Sequence, residues 1–294
     1  MPIRTKSRIP ALLFLLATLV ASSASSRGAL LLHYKLDEGS GTTVADSAAA
    51  PANGTFVGAG SSWTTDTPSG SGYAWRVNDS SGSYVSAGAG AVGKLEGLGD
   101  FTITFWMDLS AISATTDRIF STRGTDNAAG WLDLLATSTD LSKMTLTLNL
   151  KSPDASSQNA VSDAFDASGG WVFVAITRTA STGTVTFYTG DTATSAASAL
   201  TVAGTTTGLS SATTINKNSA EFRLGGTAST SQNRSPSGDF SDFRIYAEAL
   251  GQPALNAIRL QALPAIPEPS GVALLMGGAA ASGWLLRRRK LASK

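Results

Sequence analysis

The sequence is poor in the residues that usually carry chemistry. Its 294 residues include no cysteine and one histidine, and only 15% are charged. The absence of cysteine excludes disulfides, thiol catalysis and cysteine-ligated zinc. A Ser-His-Asp triad would have to use His33, which lies in an apolar stretch where a structural histidine is the more common case. The net charge is +1 and the basic residues cluster at both ends, so the chain lacks the basic stripe of a nucleic-acid-binding protein.

Acidic residues are also sparse, which argues against a glycoside hydrolase. Such enzymes use two carboxylates that face a cleft about 5–10 Å apart. The glutamates are scattered, and the nearest approach to an acidic strand, Trp131-Leu132-Asp133-Leu134, has a single acid. We therefore predict a protein that is not an enzyme, with a carbohydrate-active enzyme as the less favoured alternative.

The N-terminus has the three parts of a secretory signal peptide. A basic stretch within the first eight positions is followed by an apolar run at residues 11–21 and by small residues at 22–26. The apolar run is too short to span a membrane as a helix. We expect residues 1–26 to be a signal peptide; the alternative is a buried core helix.

The C-terminal tail, residues 263–294, has the pattern of a membrane segment with a basic end. Residues 270–286 are uncharged and largely apolar. A helix of that length rises about 25 Å, close to the bilayer core of about 30 Å. The motifs on either side of the segment are Pro267, Glu268 and Pro269, then Arg287, Arg288, Arg289 and Lys290. We predict a single transmembrane helix at residues 270–286 with its basic end in the cytoplasm.

This order of parts resembles the PEP-CTERM sorting signal of Gram-negative bacteria. The resemblance implies recognition by an exosortase-type membrane protease and cleavage near Pro267-Glu268-Pro269. It also implies delivery from the inner membrane to the cell envelope or the extracellular exopolysaccharide matrix. The alternative is a simple tail anchor. In both cases the tail is an address that plays no part in the chemistry of the domain.

Between these ends, residues 27–262 have the pattern of one β domain. Residues 101–108 and 144–150 alternate with the period of two that is expected of strands facing a core on one side. The predicted inward residues are Phe101, Ile103, Phe105, Met107, Met144, Leu146, Leu148 and Leu150. Further strands are predicted at residues 171–176, 184–188 and 240–246.

One helix is predicted, with Pro253 in its first turn and Leu250, Leu255 and Ile258 along one side. Residues 171–188 are expected to form a β-hairpin around a short loop that contains glycine. Strands without intervening helices favour an antiparallel sandwich over a βαβ fold. We therefore predict an all-β domain of two antiparallel sheets.

Several segments of this domain carry a family pattern. In chain order they are Leu36-Asp37-Glu38-Gly39-Ser40-Gly41, Val44-Ala45-Asp46-Ser47, Asn53-Gly54-Thr55, Tyr84-Val85, and residues 100–106, 171–190 and 238–250. Together they resemble a laminin-G-like domain of the concanavalin A-like class over about residues 30–259. The resemblance implies a jelly-roll β-sandwich, often a carbohydrate- or protein-binding module. Residues 187–191 depart from the family, which often has an aspartate just before the glycine, so no function is assigned to that loop.

Two strands place an aromatic ring and a carboxylate on the face opposite their inward residues: Trp106 with Asp108, and Trp131 with Asp133. On an open sheet face, the ring could stack on a sugar while the acid accepts hydrogen bonds from its hydroxyl groups. These four residues are the candidate ligand-binding residues. The alternative is packing under a loop, with the tryptophan as a large half-buried side chain.

The resemblance also implies a structural Ca²⁺ between the opening of the chain and its closing strand. Asp242 matches the closing-strand acid of the family, and Asp37 and Asp46 are candidates in the opening segment. Carboxylate and carbonyl oxygens in loops are the ligands that calcium prefers. The alternative is that these carboxylates accept hydrogen bonds from the backbone or from Arg244.

Together these observations predict an exported cell-envelope or matrix protein whose non-catalytic domain binds a glycan or another surface component. The expected partners are an exosortase-type protease, an exopolysaccharide or surface glycan, and the membrane through the C-terminal helix before processing. The alternative is a structural surface-display protein with no small ligand.

Overall fold

The structure is a computed structural model that describes residues 28–78, 82–112, 117–124, 130–151, 157–194, 200–210, 221–228 and 234–264. Within these ranges it contains no helix that is both long and apolar enough to cross a membrane. The predicted signal peptide, the Pro-Glu-Pro motif and the apolar segment 270–286 lie outside the described residues.

The described residues form two eight-stranded sheets, A and B, in which every strand pair is antiparallel, as predicted. Strands are numbered in chain order. Sheet A runs in the order β14-β13-β12-β7-β16-β5-β4, with β1 also paired to β16. Its strands are β1 (Leu30–Tyr34), β4 (Ser62–Thr64), β5 (Ala74–Val77), β7 (Phe101–Ala111), β12 (Val172–Thr179), β13 (Thr184–Gly190), β14 (Thr201–Thr206) and β16 (Ser237–Tyr246).

Sheet B lies on the other side of the core and runs in the order β11-β10-β9-β8-β15-β6-β3-β2. Its strands are β2 (Thr43–Val44), β3 (Gly54–Val57), β6 (Tyr84–Ala87), β8 (Arg118–Ser121), β9 (Trp131–Ala136), β10 (Leu146–Lys151), β11 (Gln158–Val161) and β15 (Phe222–Leu224). Consecutive strands often lie in different sheets, which gives the jelly-roll-like sandwich that was expected.

The described ranges contain two α-helices, α1 (Gly88–Gly93) and α2 (Gln252–Gln261). Helix α2 is the predicted one: a proline occupies its first turn, and Leu255 and Ile258 are buried. The predicted hairpin is also present, since β12 and β13 pair from Phe173 to Gly190. Its loop ends at Gly183 with φ +60°, where a Cβ would collide with the backbone of Leu209.

The main core lies between the sheets and contains all eight residues that the alternation pattern predicted to point inward. Four phenylalanines at its centre, Phe105, Phe120, Phe222 and Phe243, contact one another with ring centroids 5.6–6.2 Å apart. Aromatic pairs at these separations add packing energy beyond the area they bury. The sequence pattern therefore identified the inner faces of these two strands correctly.

A second apolar cluster lies on the outer face of sheet A, beneath α2. Trp106 and Phe173 from neighbouring strands pack there against Leu255 and Ile258 of the helix. Covering an outer face with a helix removes apolar surface from water. Helix α2 therefore determines which part of the outer face of sheet A stays accessible to solvent.

Strand β16 changes partners along one edge. Its first half pairs with β5 and its second half with β1. Between the two halves the register against β7 shifts, and Asp242 adopts a φ of +54°. A non-glycine residue in this region costs conformational energy. Here the backbone N–H of Asp242 donates to the carbonyl of Lys35, which fixes the bulge.

Candidate functional site

A row of four side chains crosses one end of sheet A on its outer face. Asp108 of β7 lies opposite Asp239 of β16, and Asp239 lies opposite Arg76 of β5. On the other side of β7, Val172 pairs with Met107, which puts Trp171 beside Asp108. The register therefore assembles an indole, two carboxylates and a guanidinium that are far apart in the sequence.

These side chains line two adjoining cavities of about 550 and 740 Å³ that share Asp66 and Asp108. Arg76 and Asp239 line the first cavity, and Trp171 lines the second. We call this site the acidic groove and define it by Asp66, Arg76, Asp108, Trp171 and Asp239. Its size is in the range of small-ligand sites.

One end of the acidic groove is held rigidly by an ion pair. Arg76 donates from Nε and Nη2 to the two carboxylate oxygens of Asp239, at 2.7 and 2.6 Å. Such a two-point pair fixes both side chains. Hydrogen bonding to Asp239 raises the pKa of Arg76. At the other end, the indole Nε1 of Trp171 donates to Asp66 Oδ1 at 2.9 Å, which orients the ring.

Asp108 stands between these two anchored pairs. Among the described residues it has no hydrogen-bond partner, although it is partly buried. Burial raises the pKa of its carboxyl, and the neighbouring charges of Asp66 and Asp239 raise it further. A carboxylate that is partly desolvated and left without donors is poised to accept hydrogen bonds from a ligand.

The structure separates the two members of the first predicted pair. Asp108 is in the acidic groove, whereas Trp106 has 0% exposure and packs edge-on against Phe173 beneath α2. Trp106 consequently has no face on which a sugar could stack. The aromatic residue of the groove is Trp171, which sequence reasoning treated only as the start of a strand. The preceding Gly169-Gly170 was the available signal, because glycine pairs mark a turn where a strand end meets solvent.

The second predicted pair lies on the outer face of sheet B, on the other side of the sandwich. Trp131 is 6% exposed, and the guanidinium of Arg123 lies 3.9 Å above its ring centroid. Asp133 is fully buried and is bound by Ser121 Oγ at 2.6 Å and by Arg118 Nε at 3.1 Å. The carboxylate of Asp133 therefore accepts hydrogen bonds from neighbouring side chains.

The single histidine joins β1 to β16. Its Nε2 lies 2.8 Å from Asp242 Oδ1, and its Nδ1 lies 2.7 Å from Ser47 Oγ. A catalytic triad has the reverse arrangement, with serine on Nε2 and the acid on Nδ1. Asp242 is also neutralised by Arg244, whose Nε donates to it at 2.9 Å. The contacts of His33 are those of a structural residue that links β1 to β16 through Asp242.

The three predicted calcium ligands are not gathered around one point. Asp46 accepts four hydrogen bonds, from the backbone N–H groups of His33, Ala48 and Ala52 and from Lys94 Nζ at 2.5 Å. Asp37 and Asp242 line a separate cavity of about 310 Å³. Within the described ranges, no three acidic or histidine side chains are arranged to hold a metal.

These contacts do not suit a cation at Asp46 or Asp242, because each carboxylate already faces a basic side chain. Calcium binding by Asp37, Asp46 and Asp242 stays a prediction that requires the pairs to Lys94 and Arg244 to open. A thermal melt with calcium and with excess EDTA would show it as a shift of the midpoint.

Solved structures with the same fold include one domain of an arabinanase and the binding domains of several toxins. Domain 4 of AbnA, a GH43 extracellular arabinanase from Geobacillus stearothermophilus, in complex with arabinotriose, is 17% identical with a TM-score of 0.54; the match covers 79% of this chain and 99% of that one. The binding domain of Botulinum neurotoxin DC in complex with rat synaptotagmin II is 17% identical with a TM-score of 0.53, at 79% and 51% coverage. The binding domain of Paraclostridial Mosquitocidal Protein 1 is 15% identical with a TM-score of 0.52, at 79% and 52% coverage. The chain thus spans about half of each toxin domain, and these similarities establish the fold.

No curated protein matches the sequence. Residues 78–256, more than half of the 294-residue chain, match the family described as Laminin_G_3, Concanavalin A-like lectin/glucanases superfamily. The match covers the central strands of both sheets and the start of α2. The chain belongs to the concanavalin A-like lectin/glucanase superfamily, in its laminin-G-like branch.

Proposed function

We propose that the protein is an exported cell-envelope or matrix component whose domain binds a glycan in the acidic groove without catalysis. One observation carries this proposal: Trp171 lies beside Asp108, whose carboxylate has no hydrogen-bond partner among the described residues. The indole offers a stacking surface for a sugar ring, and the carboxylate accepts hydrogen bonds from sugar hydroxyl groups.

The charges of the groove define the kind of glycan it suits. Three carboxylates, those of Asp66, Asp108 and Asp239, face one guanidinium, that of Arg76. The hydroxyl groups of a neutral oligosaccharide can donate hydrogen bonds to these carboxylates. An acidic oligosaccharide would be repelled by them, because both carry negative charge. The arabinanase domain with the same fold was solved with a neutral pentose oligomer, arabinotriose, which is consistent with this reading.

The terminal segments support the proposed location. The N-terminal pattern of a signal peptide, and the C-terminal Pro267-Glu268-Pro269 with its apolar segment and basic end, are expected to direct export and exosortase-type processing. Replacing Pro267-Glu268-Pro269 by three alanines should leave the unprocessed protein in the inner-membrane fraction. Retention of the wild-type protein in the same fraction would argue for a simple tail anchor, and release of the variant at the wild-type rate would argue against processing at this motif.

Isothermal titration of the purified full-length chain with neutral oligosaccharides, arabinotriose among them, tests the binding proposal. Trp171→Ala and Asp108→Asn should each weaken binding by roughly tenfold or more, because each removes a central contact. The matched controls are Tyr73→Ala and Asp163→Asn, exposed residues that do not line the groove. Absence of binding by the folded protein would favour a surface-display role, and release of sugar products would favour an enzyme.

A further inference from the structure

The outer face of sheet B carries two arginine–aromatic stacks of nearly the same geometry. The guanidinium of Arg223 lies 4.1 Å above the ring of Tyr84, and that of Arg123 lies 3.9 Å above the ring of Trp131. Both arginine side chains are mostly buried, at 17% and 14% exposure. The two stacks therefore form an internal comparison in which only the remaining hydrogen bonds differ.

In the first stack the guanidinium is fully engaged. Arg223 donates from Nε and Nη2 to Glu221, both at 3.0 Å, and from Nη1 to the carbonyl of Thr227 at 3.0 Å. Each of its three nitrogens has a protein acceptor. This stack has the form of a structural tie, because three of the five guanidinium N–H groups, one on each nitrogen, are bound to protein acceptors.

In the second stack the guanidinium makes fewer hydrogen bonds to the protein. Nη2 of Arg123 reaches Asp133 at 3.2 Å, but Asp133 is shared with Arg118 and Ser121. Nε of Arg123 is buried with no hydrogen-bond partner, and so is Nε1 of Trp131. Two donors without acceptors at one point are costly in a folded protein unless something binds them.

Other buried indoles leave the same atom unpaired, but their surroundings differ. Trp75 and Trp106 lie within the two apolar clusters, next to rings and aliphatic side chains. Trp131 lies beside a guanidinium and across β9 and β10 from Asn149, which pairs with Asp133 and has its own Oδ1 unpaired. These two donors and one acceptor lie on a polar face but are closed to solvent, so a ligand reaches them only as the side chain of Arg123, which is 14% exposed, moves aside.

The charges around Arg123 favour an anion. Burial lowers the pKa of Arg123, and the positive charges of Arg118 and Arg234 lower it further, against the opposing effect of Asp133. A negatively charged ligand would relieve this repulsion. A carboxylate or sulfate would accept from the planar guanidinium and from the indole N–H, and a neighbouring sugar hydroxyl would donate to Asn149.

We propose that the Arg123–Trp131 stack is a second binding site, which recognises the carboxylate or sulfate group of an acidic sugar. The proposal is independent of the acidic groove, which lies on the opposite face of the sandwich. A protein with both sites would hold neutral and acidic sugars on its two sides, and so could cross-link a mixed polysaccharide.

The test uses titration calorimetry of the full-length chain with glucuronate and with glucosamine 6-sulfate, and with glucose as the neutral reference. We expect binding of at least one anionic sugar and none of glucose. Arg123→Gln should weaken that binding by roughly tenfold or more, and raising the salt concentration should weaken it further. Preference for glucuronate or for the sulfate identifies the anionic group.

Two further variants separate recognition from folding. Trp131→Phe keeps an aromatic ring beneath the guanidinium but removes the N–H donor together with the pyrrole part of the indole, so it should weaken anion binding several-fold while the protein stays folded. Arg223→Gln disrupts the matched stack and should leave binding within about twofold, as expected for an independent site. The proposal is overturned if neither anionic sugar binds to folded wild-type protein, or if Arg223→Gln weakens binding as much as Arg123→Gln. Neither result would bear on the neutral-sugar groove.

Discussion

Sheet A and sheet B present similar apolar residues to a common core, yet their outer faces differ. The outer face of sheet A is partly covered by α2, which buries Trp106 in an apolar cluster and leaves the acidic groove uncovered at one end. The outer face of sheet B carries charged side chains, and its Trp131 is covered by a guanidinium. An aromatic residue on an outward position can therefore be buried in two chemically different ways.

This difference matters for function because the two sites carry different charged groups. The acidic groove has an excess of carboxylates, whereas arginines surround Asp133 on sheet B. Since charge selects the ligands that each surface can accept, the two faces should be probed with different sugars. The predictions below test whether the faces behave as differently as their contacts imply.

The largest expected effect concerns the two tryptophans of sheet A. Trp106→Ala removes a fully buried ring beneath α2 and should cost about 3–5 kcal/mol of unfolding free energy. Trp171→Ala, whose ring is only partly buried against the same cluster, should cost less, about 1–2 kcal/mol. Urea unfolding of both variants at pH 7 measures the difference. Equal losses would mean that α2 does not protect Trp106 in solution.

On sheet B, the substitution expected to lower stability most is one at the buried carboxylate of Asp133. Asp133→Asn removes the charge that Arg118 and Arg123 share in a buried position, and should destabilise the fold by about 3 kcal/mol. The control is Asp163→Asn, an exposed acid that should change stability by no more than about 0.5 kcal/mol. If Asp133→Asn is as harmless as the control, the ionic contacts of this face do not stabilise the protein.

The sequence pattern was sufficient to predict which strand residues face the core, but it was insufficient to predict which residues form the candidate sites. Alternation placed Phe105 and Leu148 in the core because an inner face depends only on a period of two. Whether a residue on an outer face is exposed depends on which other element packs over it. Trp106 is buried by α2, which lies about 150 residues further along the chain. The pairing of Trp171 with Asp108 depends on strand register, which short-range patterns do not encode.

The buried carboxylate of Asp46, which lies beside β1, should make the fold sensitive to acid. Burial tends to raise the pKa of Asp46, but hydrogen bonds from Lys94 and from three backbone N–H groups lower it overall. Its contribution is therefore present above the unfolded pKa of about 3.9 and is lost as the pH falls through the lower folded value. Asp46→Asn should lose roughly 1–3 kcal/mol at pH 7 and show a flatter decline in acid. Parallel stability curves would contradict this assignment.

The smallest expected effect has the opposite sign and concerns Asp108. Burial and the charges of Asp66 and Asp239 raise the pKa of this carboxyl, so the folded state binds its proton more tightly than the unfolded state. Ionised Asp108 consequently weakens the fold at neutral pH, and the penalty fades as the pH falls through the raised pKa. Asp108→Asn removes the charge and should slightly raise the melting temperature at pH 7, while the same change at Asp133 lowers it. A residue that costs stability but is needed for sugar binding has the signature of a functional position. A fall in melting temperature for Asp108→Asn would instead show that the carboxylate has a structural partner, and the acidic groove would lose its open acceptor.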